Sequence, residues 1–181
     1  STFACGCNSG YAWDADTGTC ELRTCTEIVY AGNLDVVGSD GTAAAYGADL
    51  DTVLGDAGLV EAGQFEFYDG TTGTVDLGSM GLNDNYATCM QCVRVFEDID
   101  EATGATRPYF QESGTMTIAG ARDLLNGDAA FDLADVTLVE VTIAGDYTST
   151  PVIGGGCLHI TAVSLDTAIQ YCNTDGASRC S

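Results

Sequence analysis

The chain has 181 residues, of which 45% are hydrophobic, so its length and composition suit one sizeable domain with a real core and argue against global disorder. Twenty-seven acidic residues face five Arg and no Lys, and the resulting net charge of −22 makes nucleic acid a poor partner because phosphate backbones are repelled. No apolar run reaches the roughly 18 residues that a membrane-spanning helix needs.

The chain has nine cysteines but only one histidine, so mixed Cys/His zinc sites are not expected and the cysteines instead indicate the redox environment of the protein. A reducing cytosol would leave many bare thiols, whereas an oxidising exterior would pair them. We therefore expect an extracellular or cell-surface protein, secreted by way of a signal peptide that has been removed before Ser1. Eight cysteines are predicted to form disulfides: Cys7, Cys20, Cys25, Cys89, Cys92, Cys157, Cys172 and Cys180.

Residues 1–25 differ in composition from the rest, with four cysteines and few aliphatic side chains. The run Cys5-Gly-Cys7-Asn-Ser-Gly-Tyr11 followed by Cys20 resembles the C-terminal half of an epidermal-growth-factor-like module. The resemblance implies a Cys7–Cys20 bond and leaves Cys5 without its usual upstream partner. Because nine is odd, at least one thiol is free, capped or intermolecular, and Cys5 is the first candidate, with Cys180 as the alternative.

From residue 26 onward, short β-rich runs alternate with Gly, Asp, Asn and Thr. This pattern predicts a mostly-β protein with a β-sandwich or jelly-roll-like (Greek-key) body over residues 26–181 and a small disulfide-held hairpin over residues 1–25. Glycines near residues 73 and 104 are expected to adopt positive φ in hairpin turns. The predicted strands are Glu27–Tyr30, Gly63–Tyr68, Thr74–Leu77, Thr88–Glu97, Pro108–Glu112, Thr115–Ala119, Val136–Ala144 and Cys157–Leu165.

Two segments favour helix instead. Thr42–Leu54 is rich in Ala and places Leu50, Val53 and Leu54 near helical spacing, and Ala121–Leu125 is a shorter candidate.

The pair Cys89 and Cys92 is spaced like a redox centre or half a zinc site, but it lies in a predicted strand. Neither face of that strand is cleanly polar, which indicates a central position in a sheet. Side chains three positions apart point to opposite faces of a strand. We therefore expect the two cysteines to form structural disulfides with different partners, in preference to redox or metal chemistry.

The sequence predicts no catalytic site. The only imidazole belongs to His159. Because the sequence has no nucleophile elbow such as G-x-S-x-G, His159 is interpreted as a structural residue on a strand face. A glycosidase would need paired carboxylates in a cleft, usually lined with aromatic residues, but the only tryptophan, Trp13, lies in the Cys-rich hairpin.

Calcium is the cofactor that the acidic residues favour, and no other is predicted. Asp14 and Asp16 alternate before a glycine, and Asp98 and Asp100 lie in a second acidic cluster. Calcium binds several carboxylate and carbonyl oxygens, which alternation in a tight loop can supply. Solvated turns are the preferred interpretation of both clusters, and calcium sites are the alternative.

Export, disulfides and an abundance of Gly, Thr and Ala together favour a structural subunit of a microbial surface assembly, such as a pilus-like filament or sheath. In composition the body resembles uncharacterised secreted, β-rich bacterial surface proteins. Self-association through strand edges is the expected partner interaction. The alternative hypothesis is a monomeric secreted module that binds a glycan or calcium.

Overall fold

The computed structural model describes residues 11–14, 18–31, 34–56, 59–100, 104–119 and 123–167. These residues contain twelve strands. In chain order the strands are β1 (Tyr11–Asp14), β2 (Thr19–Leu22), β3 (Thr26–Glu27), β4 (Asp35–Ser39), β5 (Ala44–Asp49), β6 (Val60–Phe67), β7 (Gly73–Asp76), β8 (Gln91–Asp100), β9 (Gly104–Ile118), β10 (Ala130–Ile143), β11 (Ser149–Pro151) and β12 (Cys157–Asp166).

Ten of these strands join one sheet, and β1 and β2 form a separate antiparallel hairpin. The order across the large sheet is β3-β12-β10-β9-β8-β6-β5-β4, with β11 added beside β10 and β7 beside β9. All pairings are antiparallel except that of β3 with β12. The mostly-β prediction is therefore confirmed. The sandwich or Greek-key arrangement is not confirmed, because the strands after residue 25 belong to one sheet.

The sheet curls around its core. In a flat sheet β6 and β10 would lie about 14 Å apart, because β8 and β9 separate them and neighbouring strands are about 4.8 Å apart. The rings of Phe65 on β6 and Phe131 on β10 instead have centroids 5.0 Å apart. The segment after β3 joins the two ends of the curl, since Ile28 donates to the His159 carbonyl on β12 while Tyr30 forms an antiparallel bridge with Leu50.

One glycine bends the longest strand. Gly114 has φ +120°, and a Cβ there would lie 2.6 Å from the Cα of Val136 on β10. The β9–β10 register shifts at this point, where Asp135 also has a positive φ of 51°. The predicted strands Pro108–Glu112 and Thr115–Ala119 are thus two halves of β9, and the bulge supplies part of the curvature.

The helix predicted over Thr42–Leu54 is wrong. Residues Ala44–Asp49 form β5, whose buried residues Ala44, Tyr46 and Ala48 alternate with partly exposed ones. Tyr46 packs edge-on against Phe67 and its hydroxyl donates to the Leu124 carbonyl, so tertiary packing outweighs the helical preference of alanine.

The second helical prediction, Ala121–Leu125, lies partly outside the described residues. A short 3₁₀ turn occupies Leu124–Asn126. Within the described part of the chain, no helix has the length and apolarity that crossing a membrane requires.

Most of the remaining strand predictions agree with the structure to within about three residues at each end. Two do not: β10 begins at Ala130, six residues before the predicted start at Val136, and the predicted strand Glu27–Tyr30 shares only Glu27 with β3. The positive φ expected at two glycines is confirmed at Gly73 (+88°) and Gly104 (+81°). Only Gly104 belongs to a hairpin, since β8 pairs with β9, whereas β6 and β7, which flank the loop before Gly73, do not pair with each other. Two further strands were not predicted. β4 is exposed along its whole length and so lacks an alternating pattern, and β11 is only three residues long.

The segment next to the N-terminal hairpin is attached to the curled sheet at two points. Arg23 forms a salt bridge with Glu112 on β9 at 3.2 Å, and Cys25 forms a disulfide with Cys157 at the start of β12. The division of the chain at residue 25 stays a prediction, and Cys25 is covalently part of the body.

Candidate functional site

A polar cluster lies on the outer face of the sheet, opposite the core. Because Phe65 and Phe67 of β6 point into the core, Gln64 and Glu66 point outward. Arg94 on β8 lies opposite Gln64 and therefore points to the same outer face as Gln64 and Glu66. Glu66 and Arg94 are both buried and form a salt bridge.

Glu66 is the centre of this cluster. Its Oε2 accepts a hydrogen bond from the Tyr68 hydroxyl at 2.8 Å, and its Oε1 accepts one from the Tyr86 hydroxyl at 3.2 Å. The Gln64 amide donates to Oε1 at 3.0 Å, and Arg94 donates to Gln64 at 3.0 Å. The Arg94 guanidinium also lies 4.0 Å from the centroid of the Tyr86 ring. Glu66 thereby fixes two tyrosine rings by their hydroxyl groups.

The loop between β7 and β8 covers this face and carries Tyr86. Asn83 accepts hydrogen bonds from the amides of Met90 and Gln91, and the Gln111 side chain on β9 donates to the carbonyls of Asn83 and Gln91. These bonds satisfy buried polar groups and hold the loop on the sheet.

The predicted pairing of Cys89 and Cys92 with different partners is wrong, because the two form a disulfide with each other. The strand prediction placed both in extended backbone, but β8 begins only at Gln91. Cys89 lies in a turn, where its amide donates to the Asn85 carbonyl, so the two sulfurs can meet. The strand is central, as predicted, between β6 and β9.

A third segment brings Tyr147 to the same place. Ser149, in β11, accepts a hydrogen bond from the Tyr86 amide and donates its own amide to Asn85. Tyr147 lies in the turn that precedes β11 with φ +66°, a conformation that bulky residues rarely adopt. Its ring packs edge-on against that of Tyr86 at 5.9 Å.

Together these segments form an open groove, which we call the tyrosine groove. It is lined by Tyr68, Tyr86, Tyr147 and residues 87–90 and encloses about 500 Å³. Tyr68 is 43% exposed and Tyr147 is 63% exposed, so both rings are accessible. Burial, the larger cause, and the hydrogen bond to Glu66 both raise the pKa of Tyr68, so its hydroxyl remains a donor to higher pH than an exposed tyrosine would.

The groove is suited to binding by contact with ring faces. An aromatic ring offers a large apolar surface of fixed shape, and restraint of the ring lowers the entropic cost of ligand binding. None of the lining residues carries a charge. Arg94, whose guanidinium packs on the Tyr86 ring, is buried and engaged by Glu66.

The predicted calcium residues fall in different places. Asp16 lies outside the described residues, and Asp14 lies in β1 without a described side chain. Asp98 is buried, and its carboxylate accepts a 2.7 Å hydrogen bond from the Asp56 amide. Asp100 pairs with Gly104 across the β8–β9 turn. Among the described residues, no group of three or more potential metal ligands is assembled.

Of the cysteines predicted to pair, five are described and all are disulfide-bonded. Cys20 bonds a partner outside the described residues, so the Cys7–Cys20 bond stays a prediction. Cys5, Cys7, Cys172 and Cys180 lie outside the described residues.

His159 lies on β12, where its Nδ1 is 2.8 Å from a carboxylate oxygen of Glu27. The other Glu27 oxygen accepts the Thr161 amide at 2.8 Å. Desolvation alone would raise the pKa of Glu27, but hydrogen bonds from Thr161 and His159 lower it overall. These contacts join β3 to β12, in agreement with a structural role.

The three tyrosines were not predicted as a site. Tyr68 begins a predicted hairpin loop and Tyr147 follows Gly145-Asp146, so each is an aromatic residue at a turn. A side chain at a turn is poorly placed to pack in the core, so an aromatic residue there was the sequence feature that could have indicated the site.

Comparison with known protein families, with curated proteins and with solved structures finds no match to this chain.

Proposed function

We propose that the chain is an extracellular binding module that holds a neutral saccharide in the tyrosine groove. The observation that supports this is the convergence of three tyrosines from separate segments on one open groove, two of them accessible and two restrained by Glu66. Pyranose rings present flat arrays of C–H groups that pack on aromatic faces, while their hydroxyls bond to nearby polar groups. The proposal corresponds to the glycan-binding alternative from the sequence.

The backbone of Tyr147 also supports a binding role. Holding a non-glycine residue at positive φ costs on the order of 1 kcal/mol, and Gly or Asn would avoid most of that cost. The observed tyrosine instead gives the turn a largely exposed ring beside Tyr86. Local strain that displays a side chain at a groove is typical of functional sites.

Electrostatics narrow the ligand class. The net charge of −22 repels sulfated and uronic-acid polymers, since the surrounding potential is strongly negative. Neutral saccharides do not incur this repulsion. The disulfides Cys25–Cys157 and Cys89–Cys92 support the extracellular part of the proposal, because structural disulfides persist in oxidising compartments.

Titration calorimetry with soluble neutral polysaccharides tests the proposal, with alginate as the polyanionic comparison. Tyr147→Ala should weaken binding roughly fivefold, because it removes one aromatic contact of about 1 kcal/mol, whereas Tyr147→Phe should retain affinity. Tyr11→Ala is the matched control, since Tyr11 is 43% exposed but belongs to the hairpin. Absence of binding to every neutral polysaccharide, or equal loss in the Tyr11 variant, would contradict the proposal.

A structural subunit of a surface assembly is the second candidate. Its support is β4, which pairs only with β5 among the described residues and exposes Val36 and Val37. An exposed edge strand can accept a strand from another molecule. Negative-stain microscopy should show filaments if this proposal holds, and a Val37→Lys variant should abolish them. Isolated particles at all concentrations would argue for the binding module alone.

A further inference from the structure

A second groove also has Tyr68 in its lining. It runs between β4 and the start of β5, is lined by residues 37–40 and 43–45 with Glu66 and Tyr68, and encloses about 330 Å³. Its volume and the roughly 500 Å³ of the tyrosine groove both fall within the range of about 300–1,000 Å³ typical of ligand sites.

Tyr68 and Glu66 connect the two grooves. Tyr68 lines both of them, and its side chain is partly exposed. Glu66 lines the second groove and holds the hydroxyls of both Tyr68 and Tyr86. Ala45 lies opposite Glu66 across the β5–β6 pair, so its side chain is on the same outer face. The two grooves therefore meet at Tyr68, which lies between them.

The second groove has a different chemical character. Its lining includes three consecutive alanines at 43–45, of which Ala44 turns its side chain into the core, and Tyr68 is its only aromatic residue. Asp40 lies at its rim, where the Oδ1 atom holds the turn before β5 through the amides of Thr42 and Ala43. An apolar lining with a carboxylate at the rim can accept a saccharide unit by C–H contact and by hydrogen bonds from its hydroxyls.

We infer that the ligand is a saccharide chain that crosses Tyr68 and occupies both grooves, rather than a single sugar or a chain end. This inference rests on the proposed saccharide-binding function. A chain held in two connected sites gains affinity because the second contact is intramolecular once the first has formed. The middle position of Tyr68 means that its ring should contribute to binding of both short and long chains.

The test is a length series of cello-oligosaccharides and of N-acetylated chito-oligosaccharides, from monomer to hexamer, measured by calorimetry. Affinity should rise at least tenfold between the dimer and the chain that spans both grooves. Ala45→Leu should remove this gain and leave dimer affinity unchanged, because the added side chain fills only the second groove. Thr74→Leu on β7, at an exposed residue that lines neither groove, is the matched control.

Melting temperatures of both variants identify any loss of fold, and Ala43→Leu provides a second block if Ala45→Leu is unstable. Binding that is independent of chain length, or a length gain that survives both blocks, would overturn the two-groove inference and leave the proposed function standing. Failure of every oligosaccharide and polysaccharide to bind would overturn both.

Discussion

Cys25 and Cys157 form a disulfide between residues 132 positions apart, at the point where β3 lies parallel to β12. In the chain-entropy description, a crosslink of this span stabilises by about 5 kcal/mol, whereas the Cys89–Cys92 crosslink, with a separation of 3, contributes about 2 kcal/mol. The difference arises because the longer loop restricts the unfolded chain more.

The double variant Cys25→Ser/Cys157→Ser should therefore melt about 10–20 °C below the wild type, and Cys89→Ser/Cys92→Ser about 4–8 °C below it. Thermal unfolding followed by circular dichroism measures both. An equal loss in the two variants, or a larger one for the short crosslink, would contradict the entropic account.

The buried Glu66–Arg94 pair should be far more sensitive to mutation than the Glu97–Arg107 pair. Arg94→Met leaves a buried carboxylate without its cation and should cost about 3–5 kcal/mol. Arg107 is half exposed, and Glu97 keeps a 2.7 Å hydrogen bond from Tyr109, so Arg107→Met should cost only about 1 kcal/mol. Urea unfolding gives both values. If adding Glu66→Met to Arg94→Met restores no stability, the cost is not that of an unpaired charge.

Strands could be predicted from the sequence where apolar and polar residues alternate along the chain or where an apolar run is continuous. β12 was predicted because Ile160, Thr161 and Val163 are β-branched and turn signals bound the segment, and β8 because neither of its faces is cleanly polar. β5 was missed because alanine is compatible with helix and strand, and only the contact of Tyr46 with Phe67 decides between them. The curl of the sheet depends on contacts such as Tyr30 with Leu50, which no local pattern encodes.

The candidate site was harder to predict than the fold. Tyr68, Tyr86 and Tyr147 are far apart in the sequence, and each one alone is an ordinary turn or loop residue. Their convergence requires the β7–β8 loop to fold back over the sheet and Ser149 to hold that loop against the β10–β11 turn. The Cys89–Cys92 bond was misjudged for a related reason, since the start of β8 is determined by the loop and not by strand propensity.

Gly63 is a position where even one methyl group should be costly. A Cβ there would lie 2.3 Å from the Tyr30 ring, which is buried against Phe65 in the core. Gly63→Ala should therefore lower the stability by about 1–3 kcal/mol through overpacking. Gly70→Ala, where a Cβ meets nothing within 4 Å, is the control and should be neutral or slightly stabilising. Equal melting temperatures for the two variants would show that Tyr30 does not pack on Gly63.

Alkaline pH should unfold the protein through its buried tyrosines. Burial, reinforced by the negative charges of Asp128 and Asp123, raises the pKa of Tyr46 to about 12 from an ordinary value of 10.0. Burial also raises the pKa of Tyr30 and of Tyr109. Since the raised pKa belongs to the folded state, the contribution of these residues is fully present below pH 10 and is lost as pH rises toward about 12.

Urea unfolding at a series of pH values, together with tyrosinate absorbance, measures this effect. The free energy of unfolding should fall across that window, and Tyr46→Phe should reduce the slope by about 1.4 kcal/mol per pH unit. A free energy of unfolding that stays constant up to pH 12 would refute the assignment of these tyrosines as buried, neutral groups.

The excess of carboxylates should make stability depend on ions. With 27 acidic and five basic residues, self-repulsion is large at neutral pH, and sodium chloride should raise the melting temperature by screening it.

If Asp98 and Asp100 bind calcium, millimolar calcium chloride should stabilise the protein beyond a sodium chloride solution of equal ionic strength, by about 2.7 kcal/mol at a concentration of 100 Kd. Asp100→Asn should remove this extra stabilisation, whereas Asp51→Asn, an exposed carboxylate outside the cluster, should retain it. Identical melting curves in the two salts would eliminate calcium and leave screening as the whole effect.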